Sequence, residues 1–279
     1  MLILRTPKEL SQTVDACRVN GQSVAMVPTM GALHQGHTSL FDLAHRHADV
    51  VVATIFVNPL QFNNPVDFDK YPLQMDRDIE LLQQHGVEFL YAPKADTMYG
   101  SNFSTSVQVD GITDVLEGSS RPGHFLGVST VVAKLFSAGR PDVAIFGQKD
   151  FQQVAVIQRM VADLDMPTQI IVAPTIRETD GLAMSSRNFR LSNSARQEAV
   201  AISQGLRKAQ NLFATGISES EQLIKTVVSV IESTSADIDY VKVVDSVTLK
   251  ELPTANLGSV IVVAVIIDRV RLIDNHVLA

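Results

Sequence analysis

Two histidines, His34 and His37, flank Gly36 in the stretch Pro28 to Leu40, PTMGALHQGHTSL, directly after an apolar run. If both lie on the first turn of a helix, their spacing puts the rings on one face. Imidazoles there would donate hydrogen bonds to phosphate oxygens that gain charge as a bond breaks. Gly31 and Gly36 permit close backbone approach, and the N–H groups and dipole of a helix start favour an anion. By itself the stretch reads equally as a turn with solvated histidines. A metal site is disfavoured, because no third ligand stands beside the pair.

Three further clusters carry polar residues at the ends of apolar runs. In FVNPLQFNNPVDFDKYP, Phe56 to Pro72, the amides of Asn58 and Gln61 suit the hydroxyl and carboxylate groups of a small substrate, while Asn and Pro also make ordinary turns. In FGQKDFQQ, Phe146 to Gln153, Gly147 permits a tight turn, Lys149 meets a phosphate as a point charge, and Asp150 is placed to hold magnesium directly or through water. Gln153 lies one helical turn beyond Asp150. The alternative there is a helix cap with a solvated lysine. In DGLAMSSRNFRLS, Asp180 to Ser192, Ser185, Ser186 and Arg187 form an anion-binding group with a forked guanidinium. The alternative is a hinge, with Ser192 capping the next helix. Arg121 and His124, in EGSSRPGHFLGV, form a weaker candidate for phosphate binding or a subunit contact; His45, His47 and His85 read as solvated, and His276 follows a strand with no obvious partner in the sequence.

The elements that must position these clusters follow from periodicity. Strands are expected at 24–27, 50–57, 87–92, 143–146 and 168–172, alternating with helices at 38–47, 76–85, 128–138 and 151–164. Such alternation implies a parallel sheet with helices on both faces, whose ligands sit at the carboxyl ends of strands. After Pro174 the texture changes to long helices at 192–214 and 219–233, then strands at 240–244, 260–267 and 270–273. The expected division is a first domain over 1–175 and a smaller C-terminal α+β domain over 176–279.

The chain has 279 residues, 46% of them hydrophobic, enough for a sizeable core. A formal charge of -7 gives no general attraction to nucleic acid or anionic membrane, so any phosphate site must be local. Cys17 is the single cysteine, which rules out an internal disulfide and disfavours a Cys-based zinc site. The longest apolar run, Val260 to Ile267, has the length of a strand. A soluble, cytoplasmic protein with no nucleic-acid or membrane partner is expected.

Taken in order, PTMGALHQGH, FVNPLQF, GQKDFQQ and LAMSSRN resemble the signature segments of the pantothenate synthetase (pantoate–β-alanine ligase) family, among the HxGH nucleotidyltransferases. The similarity also takes in Tyr71-Pro72, RPDVAIFG before the lysine, and RLIDN at Arg271 to Asn275. It implies a Rossmann-like, doubly wound α/β fold and a magnesium-dependent, ATP-driven condensation of pantoate with β-alanine through a pantoyl adenylate. The products would be pantothenate, AMP and diphosphate, and the protein would be a homodimer.

Carried over by position, the resemblance puts Met30, Gly31, Ala32, Leu33, His34, Gln35, Gly36 and His37 at ATP. Gly147, Gln148, Lys149, Asp150, Ile176, Met184, Ser185, Ser186 and Arg187 complete the nucleotide site. His37, His34, Lys149 and Arg187 would be catalytic, Gln61 would bind pantoate and β-alanine, and Gln153 would bind pantoate. The loop over Met184 to Arg187 would close to keep water from the adenylate. Leu73 and Leu126 stand where arginine is common in the family, and Phe151 where tyrosine is frequent, which touches affinity more than reaction type. Competing readings are an HxGH nucleotidyltransferase that releases a nucleotide-containing product, a tRNA synthetase, which the acidic balance opposes, and a non-catalytic nucleotide sensor.

Overall fold

The computed structural model describes residues 1–63, 68 and 71–279. The expected polar loop from Phe56 to Pro72 therefore lies partly outside the described residues. The chain divides into two compact units, Met1–Gly147 with Gln152–Ala173, and Gln148–Phe151 with Pro174–Ala279. The 148–151 segment thus groups with the second unit, away from the continuous 1–175 domain expected. The reason is visible in its bonding, since the side chain of Asn275 donates to the carbonyls of Gln148 and Lys149.

In the first unit, β1 (Leu2–Leu4), β2 (Val24–Thr29), β3 (Val50–Ile55), β4 (Phe89–Tyr91), β5 (Val143–Gly147) and β6 (Gln169–Ala173) form one sheet in the order β1-β4-β3-β2-β5-β6. Every pairing in it is parallel. The principal helices are α1 (Pro7–Val19), α2 (Gln35–Ala44), α3 (Met75–Gln84), α4 (His124–Gly139) and α5 (Phe151–Asp163), the last beginning at the residue that ends the 148–151 segment. β3 is buried at every residue, as a strand covered on both faces must be. Phe41 and Ala44 of α2 are fully buried with Val27, Val51 and Ala53 of the sheet in one apolar cluster.

The strand order reverses at β2, whose neighbours are β3 and β5. Pairing of β2 with β5 stops at Met26 with Ala144. Beyond that point β2 follows β3 as far as Thr29 with Ile55, and β5 follows β6 as far as Gly147 with Ala173. The carboxyl ends of β2 and β5 are thus left without mutual pairing at the switch point, where doubly wound sheets place their ligands.

The second unit holds α6 (Asn193–Glu198), α7 (Val200–Ala214), α8 (Ser220–Ile231) and an antiparallel sheet of β7 (Asp237–Val244), β8 (Val260–Ile267) and β9 (Val270–Val277). Its core joins Ile202 and Leu206 of α7, Leu223 and Val227 of α8, and the alternating Ile261, Val263 and Val265 of β8. The expected single helix over 192–214 is divided at Ala199, where the Ile202 N–H reaches back only three residues to the Ala199 carbonyl. β9 also runs four residues beyond the expected end at Ile273.

Candidate active site

The histidine loop leaves β2 through two successive residues with positive φ, Gly31 at 83° and Ala32 at 52°. A Cβ on Gly31 would stand 2.9 Å from Asp78 Oδ2, so glycine is required by space as well as by φ. For alanine the left-handed conformation costs about 1–2 kcal/mol, and Asp78 offsets it. That carboxylate, 1% exposed on the first turn of α3, accepts from the Ala32 and Leu33 N–H groups, one oxygen each, at 2.8 Å. Thr29 Oγ1 accepts from the Gly31 N–H at 3.2 Å.

His34 is the N-cap of α2, so the helix starts three residues earlier than the periodicity predicts. Its Nδ1 accepts from the Gly36 N–H at 3.1 Å, and His37 Nδ1 accepts from the His34 N–H at 3.4 Å. The two rings therefore form a capping box, with centroids 4.1 Å apart. Because each Nδ1 is an acceptor, the proton of each neutral ring sits on Nε2, and Nε2 is the nitrogen with which each ring donates. The sequence leaves turn and catalyst as alternatives, and the capping that makes the turn also sets the tautomer with which each ring would donate.

Gln61 sits in a single 3-10 turn after β3 and is 7% exposed. Asn58 Nδ2 donates to Gln61 Oε1 at 3.0 Å and to the Gly127 carbonyl at 3.0 Å. This orients the glutamine amide so that its Nε2 faces the sulfur of Met30 at 3.0 Å. Tyr99 donates to Asn58 Oδ1 at 2.7 Å, and burial pushes its phenol well up, which keeps it a donor. The first turn of α4 supports the same turn from below: His124 Nδ1 donates to the Gln61 carbonyl at 2.8 Å while Arg121 Nη1 donates to His124 Nε2 at 3.0 Å. Arg121 and His124 thus support Gln61, a role their sequence context did not suggest. Gly127 presses against the Leu60–Gln61 peptide, which a Cβ would meet at 2.5 Å. Of the paired glutamines at the start of α5, Gln152 is committed to the backbone of Ile112, Val115 and Glu117, and Gln153 is half-buried.

In the second unit Lys149 lies in the 3-10 turn Gln148–Asp150, its Nζ 3.4 Å from Asp150 Oδ1. One cavity brings Lys149 together with Ser185, Arg187, Asn188 and Arg271. Ile176 and Met184 are joined by a backbone hydrogen bond of 3.0 Å, and Arg177 bridges to Ala183, so the expected hinge loop is a hairpin turning at Thr179-Asp180. Ser185 Oγ caps the next turn by accepting from the Arg187 N–H at 3.2 Å. Ser192 caps α6, as its position suggested. Below the cavity Arg177 forks onto the buried Asp274 at 2.6 and 3.0 Å. His276 is half-buried, and burial together with the Arg177 charge lowers its pKa. Leu73 and Leu126, in the positions noted for arginine, are both exposed.

Asp78, Tyr99 and Gly127 were not singled out from sequence, and Asn275 was noted only as the end of RLIDN, without a role. Asp78 and Asn275 lie 46 and 127 residues from the groups they hold. Among the described residues no group of three or more His, Cys, Asp or Glu side chains could hold a metal unaided, and no helix is long and apolar enough to cross a membrane.

Residues 2–277 match the sequence model of the Pantoate-beta-alanine ligase family. Pantothenate synthetase of Thermoanaerobacter sp. (strain X514) is 44% identical over 276 residues, 99% of this chain and 98% of that protein. The crystal structure of pantothenate synthetase from Thermus thermophilus superposes with a TM-score of 0.95 at 40% identity, covering 100% of this chain and 99% of the other. That of pantoate-beta-alanine ligase from Francisella tularensis, complexed with beta-gamma ATP and beta-alanine, superposes with a TM-score of 0.82 at 37% identity over 99% and 97% of the two chains. With the histidine loop, the buried glutamine and the lysine–arginine cavity all built on this framework, the chain belongs to the pantoate–β-alanine ligase family.

Proposed function

We propose that this protein joins pantoate to β-alanine at the expense of ATP, with the side chains of the candidate active site in specific roles. The observation that carries the reading is the histidine capping box at the switch point, which turns two ring Nε2–H groups into preorganised donors. A free carboxylate is a poor acylating agent. In the first step a pantoate carboxylate oxygen attacks the α-phosphorus of ATP in line, forming the acyl–phosphate bond as the bond to diphosphate breaks. In the second, the β-alanine amine attacks the acyl carbon, loses a proton, and AMP leaves with the bonding pair.

His34 and His37 donate to phosphate oxygens as charge builds on diphosphate, and Lys149 and Arg187 supply positive charge to the same nucleotide. Met30 to His37, Gly147 to Asp150, Ile176 and Met184 to Arg187 bind ATP. Gln61, oriented by Asn58, binds pantoate and β-alanine, and Gln153 binds pantoate. The Met184–Arg187 segment shields the adenylate from water. Asp150, with a side chain 48% exposed, fits magnesium, which is typically held by one or two carboxylates together with substrate phosphates. Bound there, the ion would neutralise phosphate charge. The resemblance also supports a homodimer through the first unit, and the lone buried Cys17 suits a reducing cytoplasm.

Purified protein given ATP, magnesium, pantoate and β-alanine is expected to release AMP and pantothenate in equal amounts, with no diphosphate formed when pantoate is withheld. Diphosphate release that ignores pantoate, or AMP recovered attached to the final product, would replace this reading with that of a nucleotidyltransferase.

A further inference from the structure

The RLIDN segment has no role in the proposed ligase chemistry, yet the side chain of its last residue makes three hydrogen bonds to Gln148 and Lys149. Asn275 is 3% exposed on β9. Its Nδ2 donates to the Gln148 carbonyl at 2.9 Å and to the Lys149 carbonyl at 3.0 Å, while its Oδ1 accepts from Gln148 Nε2 at 3.3 Å. One side chain thus binds two successive peptide planes. The asparagine is itself held, because its backbone N–H donates at 2.8 Å to Asp274 Oδ1, an oxygen that also receives Arg177.

We propose that Asn275 is a positioning residue that sets the direction in which Lys149 presents its ammonium to the nucleotide, a role that rests on the ligase reading. Lysine carries a point charge on a flexible stem, so its value to a developing phosphate charge depends on where the stem begins. Pinning the carbonyls of Gln148 and Lys149 limits rotation of the peptides on either side of the Lys149 Cα. The amide is chemically specific for this role, because both of its N–H groups face carbonyl oxygens and an aspartate in the same place would put oxygen against oxygen.

The test is a double-mutant cycle on pantoate-dependent diphosphate release, with pantothenate formation by the unaltered protein as the control. Asn275→Ala is expected to lower kcat roughly 10- to 100-fold, the scale of misplacing a reacting group by about 1 Å, with the KM for pantoate little changed. In a Lys149→Ala background the same substitution is expected to cost less than about twofold, because the group it aims is gone. Asn275→Asp keeps the shape of β9 and provides the same cycle if the alanine variant does not fold. Equal losses in both backgrounds would make Asn275 purely structural and overturn the proposal, as would unfolding of both variants. An inactive unaltered protein would instead overturn the ligase reading itself.

Discussion

The histidine loop of the first unit and the lysine turn of the second are both held by one buried polar side chain from a distant part of the sequence, but with opposite polarity. In the first unit a carboxylate, Asp78, gathers N–H groups; in the second a neutral amide, Asn275, gathers carbonyls. A loop that turns N–H groups inward has free donors to satisfy, and an anion does this most strongly. A turn that points its carbonyls inward needs donors, and the amide of Asn275 supplies two N–H groups without adding a charge. The histidines also brace each other locally through the capping box, whereas the Lys149 ammonium, among the described residues, meets only the carboxylate of its neighbour Asp150. The first region therefore adds local bracing to its distant clamp, and the second relies more on tertiary contacts.

The largest effect should follow from removing a donor in the locally braced region. His37→Ala is expected to lower the rate of pantoate-dependent diphosphate release about 100- to 1,000-fold, the usual cost of one preorganised transition-state donor. Near-normal turnover in the folded variant would reduce the histidine pair to a cap. The next effect tests the clamp: Asp78→Ala leaves two buried N–H groups without an acceptor, at about 1–3 kcal/mol each. Urea unfolding should show the first unit destabilised by that order, and an unchanged midpoint would mean that the loop holds its left-handed turn unaided.

The smallest effect lies in the second region, at His276, whose pKa in the folded protein is lowered from an ordinary value of 6.5. A histidine kept neutral by folding binds fewer protons folded than unfolded, so its contribution is complete above pH 6.5 and is lost as the pH falls below that value toward the folded pKa. Thermal unfolding compared at about pH 7.5 and about pH 5.5 should show a modest loss at the lower pH, smaller in His276→Asn. An equal loss in the variant would assign the pH response to other groups.

Much of this arrangement is legible in sequence where the signal is local. The alternation of apolar runs marks β2, β3, β5 and β6 and the helices between them, and glycine-bearing polar stretches at strand ends mark the histidine loop and the lysine turn. β1 and α1 escaped that reading, although Thr6-Pro7-Lys8-Glu9 is a capping box with proline in the first turn, and both of its reciprocal bonds form. Asp78 looked like an ordinary acidic residue in the first turn of a helix, where the dipole alone would account for it. Asp274 and Asn275 lie beyond the strand expected over 270–273, in a stretch noted only for its resemblance to the family. They are inside the protein because β9 continues along β8, pairing them with Val263 and Val262, and because hydrogen bonds satisfy them there.

What the sequence by itself determined is the kind of chemistry and the order of its parts: residue types and short spacings are local properties, and four motifs in order identify a family. Only the tertiary structure decided what clamps the histidine loop, what supports the turn that carries Gln61, and what holds Lys149 in place. Those outcomes depend on hydrogen-bond partners that are close in space and far apart in the chain, and burial makes each such bond costly to leave unmade.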